Sequence, residues 1–156
     1  MEKLYWDDFE VGQVLNYGGM TISREQIVEF AREFDPQPFH VDEAAAAASP
    51  YGGLIASGWQ TAGLFMRMLA DNVLNKSTSM GSPGVEYLRW HKPVRPGDTL
   101  RVRHTVLEKR PSQNRPTLGL VKNRFETLNQ HDEVVMEMVS IGMFLRRPAA
   151  GKDGAA

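Results

Sequence analysis

Residues 57–74 read Ser57-Gly58-Trp59-Gln60-Thr61-Ala62-Gly63-Leu64-Phe65-Met66-Arg67-Met68-Leu69-Ala70-Asp71-Asn72-Val73-Leu74. Ser57 is a candidate N-cap, because its side-chain oxygen can accept from a free N–H of the first turn. Ala62, Phe65 and Leu69 recur at helical spacing, and Leu64 and Met68 add a second apolar side. A helix apolar nearly all round is expected to be buried. Downstream of Ser77 the chain reads as strands. Val85–His91 is one candidate. After a turn at Pro96-Gly97-Asp98, Thr99–Lys109 alternates with period two, placing Leu100, Val102 and Val106 on one side. Leu118–Leu128 and Val134–Arg146 come next, joined by a turn at Asn129-Gln130-His131-Asp132. The last strand is apolar on both faces and should be covered on both. Helices first and a long antiparallel meander second is the α+β order. With one apolar helix and one sheet, the sheet should wrap around the helix. Apolar surface left uncovered should find a second copy of the chain, so a homo-oligomer is expected.

Upstream, residues 13–21 read as a short strand. Ser23 with Gln26 three residues on is a capping-box pattern, and Ile27, Phe30, Ala31 and Phe34 continue at helical spacing. Pro36 and Pro38 should stop that helix near Phe34. Asp42 can cap a second short helix, Glu43–Ala48, which Ser49-Pro50-Tyr51-Gly52-Gly53 then breaks. One domain is expected over 1–147. The tail 148–156, rich in Ala and Gly, is expected to be disordered.

The chain has 156 residues, no cysteine and a formal net charge of −1. The missing cysteines exclude disulfides, thiolate catalysis and cysteine metal sites. No basic stripe points to nucleic acid and no polybasic run to a membrane surface. The start Met1-Glu2-Lys3 lacks a signal-peptide pattern, and no apolar run approaches a bilayer span. A soluble cytoplasmic protein is the expectation.

Chemistry is concentrated in Asp35-Pro36-Gln37-Pro38-Phe39-His40. The two prolines stiffen a loop that carries a carboxylate and an imidazole. An imidazole moves protons near neutral pH, and a neighbouring carboxylate can orient it or hold a water. Spacing alone leaves a second reading open, with Asp35 capping a turn and His40 satisfied in the core. Gly52-Gly53-Leu54-Ile55-Ala56-Ser57-Gly58 leads small residues into the start of the apolar helix. There the N–H of Gly58 could receive an acyl oxygen, since helix N-termini carry partial positive charge. Equally, Gly58 could simply pack against a strand.

Taken together, Asp35-x-Gln37-Pro38-x-His40, the acidic Asp42, the alanine-rich short helix, the Ser57–Gly58 pair and Trp90-His91-Lys92-Pro93-Val94-Arg95-Pro96-Gly97-Asp98-Thr99-Leu100 resemble the MaoC-like dehydratases, which include the (R)-specific enoyl-CoA hydratases. The resemblance runs from about Phe9 to Arg146. It implies a hotdog fold, a curved antiparallel sheet wrapped around one long helix and paired into a dimer or a dimer of dimers. It implies a hydro-lyase acting on a 2-enoyl-CoA, with no cofactor and no metal. Asp35 and His40 match the pair that activates water. Gly58 matches the donor to the thioester oxygen. Gln37, Phe39, Ser57, Trp59 and Met66 would stand beside the substrate.

Five positions depart from that pattern. Gln37 replaces an Asn, Glu33-Phe34 a Ser-Gly pair, and Ser57 a histidine. Met66 stands where some hydratases place a serine that bonds the aspartate, which leaves Asp35 to find another partner or to be held less tightly. A thioesterase of the same fold and a non-catalytic acyl-thioester-binding subunit are the competing expectations. His91, His104 and His131 lack metal-site spacing and read as surface or core histidines. Lys92, Arg95 and Arg89 are available to CoA phosphates or to solvent. Met66 and Met68 belong either to plain core or to an adaptable acyl tunnel.

Overall fold

The computed structural model describes residues 2–149. The disorder expected for 148–156 falls almost wholly outside them. The principal elements are β1 (Val14–Thr21), α1 (Arg24–Phe34), α2 (Pro38–Val41), α3 (Glu43–Ala48), α4 (Gly58–Asn72), β2 (Gly84–Trp90), β3 (Thr99–Pro111), β4 (Leu118–Leu128) and β5 (Val134–Leu145). Short 3-10 turns occupy Trp6–Asp8 and Leu74–Lys76.

The strands form one antiparallel sheet in the order β1-β3-β4-β5-β2. The sheet is curved and holds α4 against its inner face, which is the hotdog arrangement. The inner face keeps to the period-two pattern, with Leu100, Val102 and Val106 of β3 and Val121 and Phe125 of β4 at 3% exposure or less. They meet Phe65, Met68 and Leu69 of α4 in one apolar cluster. α4 also packs close to β1, where Gly18 and Gly19 have φ of +108° and +122° beside a register shift. A Cβ on Gly18 would run into Met68 Sδ, so the position needs glycine for its conformation and for its clearance.

Caps act where the sequence places them. Gln26 N–H donates to Ser23 Oγ at 3.1 Å while Gln26 Oε1 accepts from Ser23 N–H at 2.8 Å. Ala45 N–H donates to Asp42 Oδ1 at 2.9 Å. Asn129 closes the β4–β5 turn, its Oδ1 accepting from the N–H groups of His131 and Glu133.

Two expectations need correction, and a third is met with an addition. α1 ends at Phe34 as expected, and Pro38 does more than stop it. It occupies the first turn of α2, where its missing N–H costs nothing. Burial of α4 is one-sided: Thr61, Phe65, Met68 and Leu69 are buried, but Trp59 is 63% and Met66 46% exposed. The curved sheet reaches only one flank of the helix. Coverage of β5 is also partial. Val135, Met136, Met138 and Val139 are buried, whereas Ile141 and Met143 stay half-exposed. Val135 is the extra residue of a bulge between the pairs Leu128–Val134 and Thr127–Met136, so it joins Met136 in the core instead of alternating with it.

Candidate active site

Asp35 is the first residue beyond α1. Its N–H still donates to the Ala31 carbonyl at 2.8 Å, but its backbone has left the helix. Pro36 and Gln37 turn the chain, and Pro38 starts α2, whose third residue is His40. The two side chains are thereby brought from opposite ends of the turn to face each other. His40 Nε2 lies 3.2 Å from Asp35 Oδ2. His40 Nδ1 lies 2.7 Å from the Ile55 carbonyl oxygen. A carbonyl only accepts, so Nδ1 carries its proton and donates there. Nε2 is left as the nitrogen that exchanges a proton. Phe39 sets its ring edge against the imidazole, 4.6 Å between centroids, and His40 is only 4% exposed.

Asp35 is held from several sides. Gln37 Nε2 donates to Oδ1 at 2.7 Å. Burial pushes the Asp35 carboxyl up, but the hydrogen bonds from Gln37 and Ser57 and the charge of His40 outweigh it and leave the acid below its usual range. Ser57 is wholly buried, and its Oγ also accepts from Trp59 N–H at 3.3 Å. Gln37 and Ser57 are thus the partners that Asp35 finds with methionine at position 66. The exposed Phe34 side chain, 66% accessible, packs on Phe30 and stays out of the site.

The start of α4 is set by two backbone pins. Ile55 N–H donates to the Phe39 carbonyl at 3.2 Å, and Ala56 N–H to the Val94 carbonyl at 2.8 Å. Val94 belongs to the Pro-Val-x-x-Gly-Asp turn, whose Asp98 Oδ2 accepts from Arg95 N–H at 2.9 Å. Gly58 N–H heads α4 with no partner among the described residues. The space that a side chain would take at Gly58 is filled by Trp90. Its Nε1 donates to the Gly58 carbonyl at 2.9 Å, and its ring would sit 2.5 Å from a Cβ. The packing reading of Gly58 is therefore realised, and its N–H is free as well.

Asp35, Gln37, Phe39, His40, Gly58 and Trp59 all line one cavity of about 510 Å³. Trp90, Tyr51 and Thr61 line it too, and sequence reasoning missed all three. The signal for Trp90 was its place at the head of the motif that ends in Asp98. Ser57 and Met66, both expected beside the substrate, are absent from this cavity: Ser57 is wholly buried behind Asp35, and Met66 lines a second cavity, of about 440 Å³, between α4 and the sheet. The flanking cations already have protein partners: Lys92 pairs with Glu133, Arg95 donates to the Tyr51 carbonyl, and Arg89 stacks over Tyr87. Among the described residues no cluster of His, Asp or Glu could hold a metal ion, and no helix is long and apolar enough to cross a membrane.

The class defined by this fold and site has known members. Residues 8–127 match the MaoC like domain, and the chain belongs to that family. It is 35% identical over 144 residues to the 3-hydroxybutyryl-CoA dehydratase of Methylorubrum extorquens, covering 88% of this chain and 82% of that one. The crystal structure of the MaoC-like dehydratase from Rhodospirillum rubrum superposes with a TM-score of 0.87 at 43% identity, over 94% of this chain and 99% of the other. The R-hydratase PhaJ1 from Pseudomonas aeruginosa gives 0.76 at 27% identity, over 93% and 88%.

Proposed function

We propose that the protein adds water reversibly to a 2-enoyl-CoA, with Asp35, His40 and Gly58 as the catalytic groups. The observation that carries this reading is the proton-exchanging edge of the Asp35–His40 pair, facing a cavity that the unpartnered Gly58 N–H also lines. A neutral Nε2 lone pair would repel the ionised Asp35 at 3.2 Å, so the pair is attractive when His40 holds the proton. In the hydration direction, water sits against the cavity side of the pair, within reach of both groups. Asp35 takes a proton from the water as its oxygen bonds to Cβ. Electrons move onto the thioester oxygen, where the Gly58 N–H receives the enolate charge, a contribution of about 3 kcal/mol for one such donor. His40 then gives its Nε2 proton to Cα. A proton passing from Asp35 back to His40 restores the pair, so one water is added and nothing else is consumed. Gln37 and Ser57 keep Asp35 ionised and aimed, while Phe39 and Trp59 wall the reacting end of the substrate. Met66 stands further along α4, where the acyl chain would extend.

The uncovered flank supports a homodimer. Trp59, Met66, Val85 and Trp90 are all large, apolar and more than 40% exposed, and β2 is an edge strand.

The test is hydration of crotonyl-CoA and longer enoyl-CoAs. Asp35→Asn and His40→Ala should each slow it by about a hundredfold or more. Unchanged rates in both variants overturn the assignment. Release of free CoA thiol in place of the hydroxyacyl product would mean a thioesterase, with water attacking the carbonyl carbon.

A further inference from the structure

The cavity between α4 and the sheet is lined mainly by apolar residues, with Ser79 and Ser82 on the segment before β2 and one line of polar side chains across the sheet. On β3, the inward run Leu100, Val102, Val106 is interrupted by His104, which is 2% exposed. On β4, the inward run Val121, Phe125 is interrupted by Asn123, 4% exposed. On β5, Ser140 interrupts the run that continues from Met136 and Met138. Asn123 and Ser140 are direct cross-strand partners, and His104 is diagonal to Asn123. All three side chains line the 440 Å³ cavity together with Phe65, Met66 and Leu69 of α4. Burying such groups in a small domain costs stability unless each is bonded, and a cavity lined with leucine and phenylalanine would have avoided that cost.

The hydrogen bonds show where capacity is left over. His104 Nε2 is 2.8 Å from Asn123 Oδ1, an acceptor, so Nε2 carries the ring proton. Nδ1 is then the acceptor and receives the Tyr17 hydroxyl at 3.1 Å. The imidazole is neutral and fully used. Asn123 Nδ2, in contrast, has only a 3.4 Å contact to the Val121 carbonyl two residues away. Ser140 adds a hydroxyl on the next strand. Two donors therefore face the cavity, held in place by a network that carries no charge.

We propose that this line is a specificity subsite for an acyl group bearing an uncharged oxygen, a keto or hydroxyl group, which accepts hydrogen bonds from Asn123 Nδ2 and Ser140 Oγ. The inference rests on the acyl-thioester reading above. The cavity lies where the acyl chain would run: Thr61 lines the catalytic cavity and Phe65 this one, one helical turn apart along α4, about 6 Å. A carboxylate is disfavoured at the same place, because no cation lines the cavity to offset its desolvation.

The experiment compares chain-length-matched 2-enoyl-CoAs that are unsubstituted, keto- or hydroxyl-substituted at successive carbons beyond the double bond, or carboxylate-terminated. The readouts are kcat/KM for hydration and Kd for the corresponding saturated acyl-CoAs. A tenfold or greater advantage in both for a keto or hydroxyl chain over the plain one is expected, with the carboxylate below both. Keto and hydroxyl arms identify which oxygen is taken. Ser140→Ala and, separately, Asn123→Leu should bring the oxygenated-to-plain ratio toward one. Because the ratio is internal to each variant, a general loss of stability does not imitate it. Plain chains that bind as well as oxygenated ones at every position overturn this inference alone. Failure of every acyl-CoA to bind overturns the acyl-thioester reading, and this inference with it.

Discussion

Trp90 and Gly58 form one unit: the indole lies in the space that a Cβ at position 58 would fill, and its Nε1 donates to the Gly58 carbonyl at 2.9 Å. A methyl group there must displace the ring. Gly58→Ala should therefore cost stability, about 1–3 kcal/mol for forced repacking, together with activity. Adding Trp90→Leu to Gly58→Ala relieves the clash and should recover much of the lost melting temperature. It should leave turnover depressed by tenfold or more, because the enlarged residue still crowds the N–H proposed to receive the oxyanion. Recovery of both together would mean that Gly58 serves packing alone.

Gln37 is expected to set the ionisation of Asp35. Its amide is a hydrogen bond to the charged form, and it helps hold the carboxyl below the usual 3.8. A depressed acid is charged over a wider range, so the contribution of Asp35 to folding and to catalysis is in place above its ordinary value. It is lost only as pH falls through the lower, folded one. Gln37→Leu should raise the titration midpoint of Asp35, read from its carboxyl carbon chemical shift, and lower kcat at neutral pH more than it raises KM. An unmoved midpoint would remove Gln37 from that role.

His104 should make the fold acid-sensitive. Burial pushes its imidazole from the usual 6.5 down to about 4, against the bond to Asn123 that favours the charged form. In the unfolded chain the group returns to its ordinary value. Between those two values the unfolded state binds a proton that the folded state refuses, so stability is complete above about pH 6.5 and declines as pH falls toward 4. The loss is on the order of 3 kcal/mol. Urea unfolding across that range should show the decline, and it should be shallower by that amount in His104→Leu, whatever that variant's absolute stability. Equal slopes in the two proteins would refute the assignment.

The uncovered flank predicts a change of mass on substitution. Sedimentation of the wild type should give a dimer, and Val85→Lys on the β2 edge should shift it toward monomer. A wild-type monomer at micromolar concentration would remove the proposed pairing.

The order of elements was legible because it rests on local rules. Ser23 with Gln26, Asp42 with Ala45, and Ser57 with Trp59 are caps within a few residues of sequence, and the alternation of β3 is unbroken over its inner positions. The candidate catalytic pair was legible only as two residues near a proline turn. That Pro38 opens a helix is not deducible locally, since proline both ends helices and begins them. The partners of Asp35 were half legible: Gln37 is two residues away, but Ser57 arrives through the long-range pins at Ile55 and Ala56. Met66 joined the second cavity because α4 carries it two turns away from Gly58. His104, Asn123 and Ser140 were visible as polar residues at inward parity, yet which histidine of a strand is a cavity wall depends on the neighbouring strands.

The pins at Ile55 and Ala56 have a consequence for how such a protein can change. His40, the Val94 turn and the head of α4 all take their bearings from these two peptide units, so the proton-handling end is effectively one rigid casting. The walls of the second cavity come from elsewhere, namely the far half of α4, the inner faces of β3 to β5 and the segment near Ser82. If the proposed acyl chain runs there, selectivity for its far end can drift, or be engineered, by substitutions on those strands while the proposed reaction at the other end is left intact.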